Sequence, residues 1–262
     1  MEKKILYLLT CVGLCWSSCT NEVDEFIGNV EPSTRSVSTA LNANLASLFT
    51  GGAPTLTSAE IKEVNDAYAK MTSINCYRNI DEAVRNKTSY AGTIFLDDTY
   101  ASAYFRKGSL AFPPYGILAS SMEHEFIHMY QRDVQGKKVD TDKEKRDTGM
   151  MEFELAFYQG IIRYIHAGYS WTFKGEDGDP SYQSLWTSGL TDPSLIPQYE
   201  REFQTYVASI CANGKPTSID INEFVKWSNI FGEYSRGYSG KGYKFGNYDY
   251  VTSCINSLLK LY

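Results

Sequence analysis

Ser120-Ser121-Met122-Glu123-His124-Glu125-Phe126-Ile127-His128 is the stretch on which the reading of this chain turns. It contains two of the three histidines in 262 residues, spaced i and i+4. On a helix those positions lie one above the other on one face, so both imidazoles reach a single zinc ion while Glu125 sits beside water held at the same point. The residues in front supply the helix. Ser120-Ser121-Met122-Glu123 has the form of a capping box, which predicts an N-terminus about one turn before His124. The same letters in a strand or loop would scatter the two rings.

Upstream, Thr57-x-x-Glu60 is a second capping box, and Ile61, Val64 and Tyr68 recur at helical spacing, predicting a helix over Ala59–Met71. Thr93–Leu96 and Ser109–Phe112 read as two short strands, the second ended by Pro113-Pro114. Downstream, residues 132–149 are charged and loop-like around Gln135-Gly136-Lys137-Lys138, and a helix is expected over Met150–His166. Further helices are expected over Pro193–Ala212, over Ile221–Ile230 behind Asp220-x-x-Glu223, and over Tyr250–Leu261. Gly175–Pro180 reads as a solvated acidic turn, and Gly232–Gly246 as a Gly- and Tyr-rich loop. The predicted class is α+β, mainly helical, with a small strand layer before the H-E-x-x-H helix, occupying residues 56–262.

The N-terminus carries a different message. Glu2-Lys3-Lys4, the apolar stretch Ile5–Trp16 and the ending Ser17-Ser18-Cys19 form a secretory signal over residues 1–18, too short to span a bilayer as a helix. The ending resembles a bacterial lipoprotein signal, although Trp16 stands where an aliphatic residue is usual. That resemblance implies a lipidated Cys19 as first mature residue and a location in the cell envelope, anchored to the outer membrane. Residues 19–55, rich in Ser, Thr, Asn, Gly and Pro, read as a flexible tether.

The full chain has 25 basic and 31 acidic side chains, and loss of Lys3, Lys4 and Glu2 with the signal leaves a net charge of about −7. An acidic surface argues against nucleic acid as a partner and against polybasic membrane contact. Cys76, Cys211 and Cys254 have no metal-ligand spacing, and buried unpaired thiols are expected. Twenty tyrosines and thirteen phenylalanines predict an aromatic core.

A catalytic zinc needs a third protein ligand besides an open position for water. The next predicted helix carries two carboxylates, Glu152 and Glu154. Residues two apart on a helix diverge by about 200°, so both cannot face one ion. His124-Glu125-Phe126-Ile127-His128-Met129-Tyr130-Gln131, with Glu152-Phe153-Glu154-Leu155-Ala156, resembles a gluzincin metallopeptidase of the bacterial lipoprotein kind, whose helices typically read H-E-x-x-H-x-x-Q and E-F-E-A. The resemblance covers residues 118–162, with Leu155 departing from the usual Ala. It implies Zn2+ as cofactor, a peptide or protein as substrate, and a glutamate from the second helix as third ligand. Setting Leu155 at the position where such proteins have a small residue favours Glu152.

In that reading His124, His128 and Glu152 hold the metal and Glu125 is the general base. Tyr130, about 200° around the helix from His128, is expected in the core, and His166 is expected as a buried or capping histidine. The chain has no G-x-S-x-G elbow, phosphate-binding glycine loop or C-x-x-C. The second reading these residues allow is a surface binding or assembly module on a metallopeptidase scaffold, with structural metal or none.

Overall fold

The computed structural model describes residues 40–137, 145–166, 192–212, 215–217, 219–234 and 255–262. The signal, Cys19, the acidic turn at 175–180, Cys254 and most of the Gly- and Tyr-rich loop lie outside the described residues. The chain falls into two compact units, one ending at Val134 and the other beginning at Gln135. Its mainly helical composition with one small mixed sheet agrees with the α+β class read from sequence.

Folded structure begins earlier than the tether assignment of 19–55 allows. Helix α1 (Ala43–Leu48) is capped by Asn42, whose side chain accepts from the Asn44 N–H at 2.9 Å. Leu45, Leu48 and Phe49 are buried at 0–1% exposure. A tether cannot hide three large apolar side chains, so the part of it from Asn42 to Phe49 belongs to the folded unit.

Helix α2 (Ser58–Thr72) realises the predicted capping box in full. The Thr57 hydroxyl accepts the Glu60 N–H at 3.3 Å and the Glu60 carboxylate accepts the Thr57 N–H at 2.6 Å. Val64, Ala67, Tyr68 and Met71 form its buried face. Helix α3 (Asn75–Lys87) was not anticipated. It has no side-chain cap, and Asp81 interrupts its buried face of Cys76, Tyr77, Ile80 and Val84. The start signal is therefore missing, although Cys76, Tyr77, Ile80 and Val84 recur at helical spacing. Asp81 is accommodated by accepting from the Tyr68 hydroxyl at 2.8 Å and the Arg85 Nε at 2.9 Å, a pairing that a buried carboxylate requires.

The sheet contains β1 (Ile94–Leu96), β2 (Tyr104–Arg106) and β3 (Ser109–Phe112) in the order β1-β3-β2. The outer strands pair with β3 in opposite senses, β1 parallel with Ile94 opposite Leu110 and β2 antiparallel with Phe105 opposite Leu110. The sequence reading found β1 and β3 and missed β2. Its signal lies in the connection: Lys107 and Gly108 both have positive φ, +50° and +78°, the primed turn geometry that closes a two-residue hairpin. Gly92 is required for a different reason. A Cβ there would stand 2.2 Å from the Gly108 carbonyl oxygen.

Helix α4 (Ala119–Met129) carries the H-E-x-x-H residues. The expected capping box does not form. The N-cap is Leu118, without a side-chain hydrogen bond, and Glu123 is buried one turn into the helix. Packing therefore fixes this terminus, where the sequence pattern predicted a polar cap. The Phe126 ring packs 6.1 Å from that of Tyr68 on α2. A π-helical turn, Tyr130–Val134, follows without a break.

In the second unit, α5 (Lys145–His166) starts five residues before the expected Met150, which places Glu152 two turns inside it. Helix α6 (Ile196–Ile210) follows a short 3-10 turn, and a two-stranded ribbon of β4 (Cys211–Ala212) and β5 (Lys215–Pro216) leads to α7 (Ile221–Tyr234). Asp220 caps α7 by accepting from the Asn222 and Glu223 N–H groups. The interior is aromatic. Phe153 lies 5.0 Å from Phe224 and 5.4 Å from Phe231, and Phe157 lies 5.3 Å from Phe203, between ring centres. Partial burial pushes the Cys211 thiol up to about 11, above the ordinary thiol range.

Candidate metal centre

Burial is the first unusual property of α4. His124 and Glu125 are 5% and 4% exposed, and Glu123 beside them is also buried. Ionisable side chains are seldom hidden in succession, because each forfeits hydration and needs a compensating partner. Such a run on one short helix is characteristic of a site in which charge is put to use.

The two imidazoles meet as the i, i+4 spacing predicts. Their Nε2 atoms are 3.1 Å apart, with the rings at 83° to one another. Two nitrogens bound at 2.0–2.1 Å to one tetrahedral ion stand about 3.3 Å apart, so the pair is spaced as joint ligands would be. Glu125 presents Oε1 at 4.0 Å from His124 Nε2, near that point without joining the ligand set. A carboxylate at this remove can reach a water molecule placed between it and the imidazoles.

Of the two glutamates considered for the third position, both on α5 of the second unit, Glu152 is half-buried and Glu154 is buried at 1% exposure. Two residues apart on α5, the pair diverges as helix geometry demands. Within the first unit the two imidazoles are donors that suit zinc, and their spacing fits the metal.

Sequence reasoning missed the residue behind the ligands. Gln131 is wholly buried, and its side-chain oxygen lies 2.9 Å from His128 Nδ1. It follows His128 by three residues, the helical spacing at which side chains meet and the signal by which the contact could have been found. Tyr130 is buried, as expected from its place on the helix. Nothing is described of the His166 side chain. No family model matches the chain, and no curated protein or solved structure matches it, so the functional reading rests on the residues of this site alone.

Proposed function

We propose that this chain is a zinc-dependent hydrolase of peptide bonds, exported and held at the outer membrane by lipid on Cys19. The observation that carries the reading is the imidazole pair, 3.1 Å apart at Nε2, with the Glu125 carboxylate 4.0 Å from the nearer nitrogen. Glu152, which the sequence pattern favours over Glu154, is the proposed third ligand. Zinc in such a site supplies Lewis acidity, lowering the pKa of water toward neutrality and polarising a carbonyl.

The side chains account for the remaining chemistry. His124 and His128 offer neutral nitrogen donors, and Glu152 adds one negative charge that offsets part of the charge of the ion. Glu125 accepts a proton from the attacking water as its oxygen bonds to the scissile carbonyl carbon. It then delivers that proton to the amide nitrogen as the carbon–nitrogen bond breaks.

The test is stoichiometric. Purified protein should hold one zinc per chain, and zinc should raise its melting temperature. Cleavage of a mixed peptide library should vanish in Glu125→Gln while zinc stays bound. A chain that takes up no zinc would overturn the proposal; zinc without cleavage in the parent would leave the binding-module reading in its place. Anchoring is tested separately by Cys19→Ser, which should move the protein from the membrane to the soluble fraction. No helix among the described residues is long and apolar enough to cross a membrane.

A further inference from the structure

A wholly buried glutamine is costly unless its amide is engaged, and an apolar residue of similar size would fill the same space more cheaply. Gln131 therefore calls for a reason beyond packing. Its oxygen faces His128 Nδ1 at 2.9 Å, and an amide oxygen only accepts hydrogen bonds. With that oxygen toward the ring, Nδ1 must carry the proton. The one lone pair left on a neutral His128 is then at Nε2, the atom that faces His124 Nε2.

The backbone around Gln131 is also unusual. Tyr130–Val134 is a π-helical turn, a form that appears mostly as single turns and often at functional sites. Tyr90, ahead of β1, and Phe105, on β2, hold it in place. The Asp133 carboxylate accepts from the Tyr90 hydroxyl, and Arg132 donates to Asp133 from Nε and Nη2 at 3.0 and 2.7 Å. The Arg132 guanidinium also lies 4.3 Å above the Phe105 ring on β2, and Phe105 packs 4.8 Å from Tyr90. Charge pairing and cation–π contact thus tie the turn at the two residues that follow Gln131.

We propose that Gln131 is a positioning residue for the metal centre: by accepting the Nδ1 proton it commits His128 to the tautomer that offers Nε2 as ligand, and the Arg132–Asp133 clamp holds the π turn that presents it. This rests on the zinc reading above, but its first consequence is visible without metal. Outer partners of this kind typically govern 10- to 100-fold in metal affinity.

The test uses the full chain labelled with 15N at histidine, metal-free, above the pH range in which imidazole titrates. Two-bond 1H–15N correlations distinguish the tautomers, and His128→Ala identifies the resonances. The parent should show His128 as the Nδ1–H form. Gln131→Leu keeps the volume and removes the acceptor; it should shift His128 toward the Nε2–H form and weaken zinc binding 10- to 100-fold. Gln131→Glu restores an acceptor and should restore both. If Gln131→Leu does not fold, Gln131→Asn withdraws the acceptor by one methylene and should give the same tautomer shift. An unchanged tautomer and unchanged zinc affinity in whichever of these variants folds would overturn the proposal. A parent that shows the Nδ1–H form yet binds no zinc would sink the zinc reading instead, so the two failures are distinguishable.

Discussion

Helices α2 and α4 pack on one another through Tyr68 and Phe126, yet they are built on opposite terms. Helix α2 has a complete capping box, a Lys62–Asp66 pair on its exposed side and a single apolar face, all of which favour helix locally. Helix α4 has no side-chain cap, and its buried residues include Glu123, His124 and Glu125 beside Met122, Phe126 and Ile127. Local signals suffice for the first. The second is held by its surroundings, and gives up stability where polar groups must stand in the interior.

The largest effect expected from this contrast is on chemistry. Glu125→Gln should lower kcat/KM for peptide cleavage by about 10²–10⁴, the range for loss of a general base, with zinc content unchanged. The same substitution keeps the size and hydrogen-bonding reach of the side chain at a site 4% exposed, so the metal-free protein should melt close to the parent. A fall in both activity and stability would place Glu125 in the framework of α4 and break the contrast.

Next comes the packing that replaces a cap. Phe126 is fully buried, and Phe126→Ala should destabilise the protein by about 3–5 kcal/mol in urea unfolding. A cost below about 1 kcal/mol would mean that α4 draws its stability from within, like α2.

These differences also explain what could be read from the sequence. The α2 limits, its cap and its buried face were legible because each depends on residues within one or two turns. The i, i+4 histidines were legible for the same reason, since helix geometry alone brings them together. Helix α3 was not, because Asp81 looks like a surface residue until Tyr68 and Arg85 are seen to reach it. The Ser120–Glu123 pattern misled because it matches a cap, while burial decides the actual terminus at Leu118. Gln131 was missed because its partner depends on a π turn clamped by Tyr90 and Phe105, which lie 26–41 residues earlier in the sequence.

A smaller effect tests the local side of the contrast. Thr57→Ala should cost about 1 kcal/mol and leave zinc affinity untouched. Hydrogen bonds from the Thr57 backbone and hydroxyl hold the Glu60 carboxyl below its usual value of 4.5. A depressed folded-state value means that this contribution is present above the unfolded pKa and lost as pH falls through the lowered folded one. The difference between parent and Thr57→Ala should accordingly shrink in acid. A gap that persists below that point would show that the hydroxyl caps α2 without help from Glu60.

The smallest effect addresses the missing cap directly. Leu118 sits at φ −96° and ψ 142°, the extended conformation that a capping residue adopts, and it is 42% exposed. Leu118→Asp would place a carboxylate oxygen within reach of the Ser120 and Ser121 N–H groups at the positive end of the helix dipole. Little apolar burial is lost at so exposed a position, so a gain of about 0.5–1 kcal/mol is expected, with zinc affinity unchanged. If stability rises as expected while peptide cleavage falls, the uncapped terminus serves the site, because the only property altered is the freedom and charge of the turn that leads into His124. If neither changes, packing already satisfies this end of α4, and its difference from α2 lies wholly in the buried polar residues one turn further on.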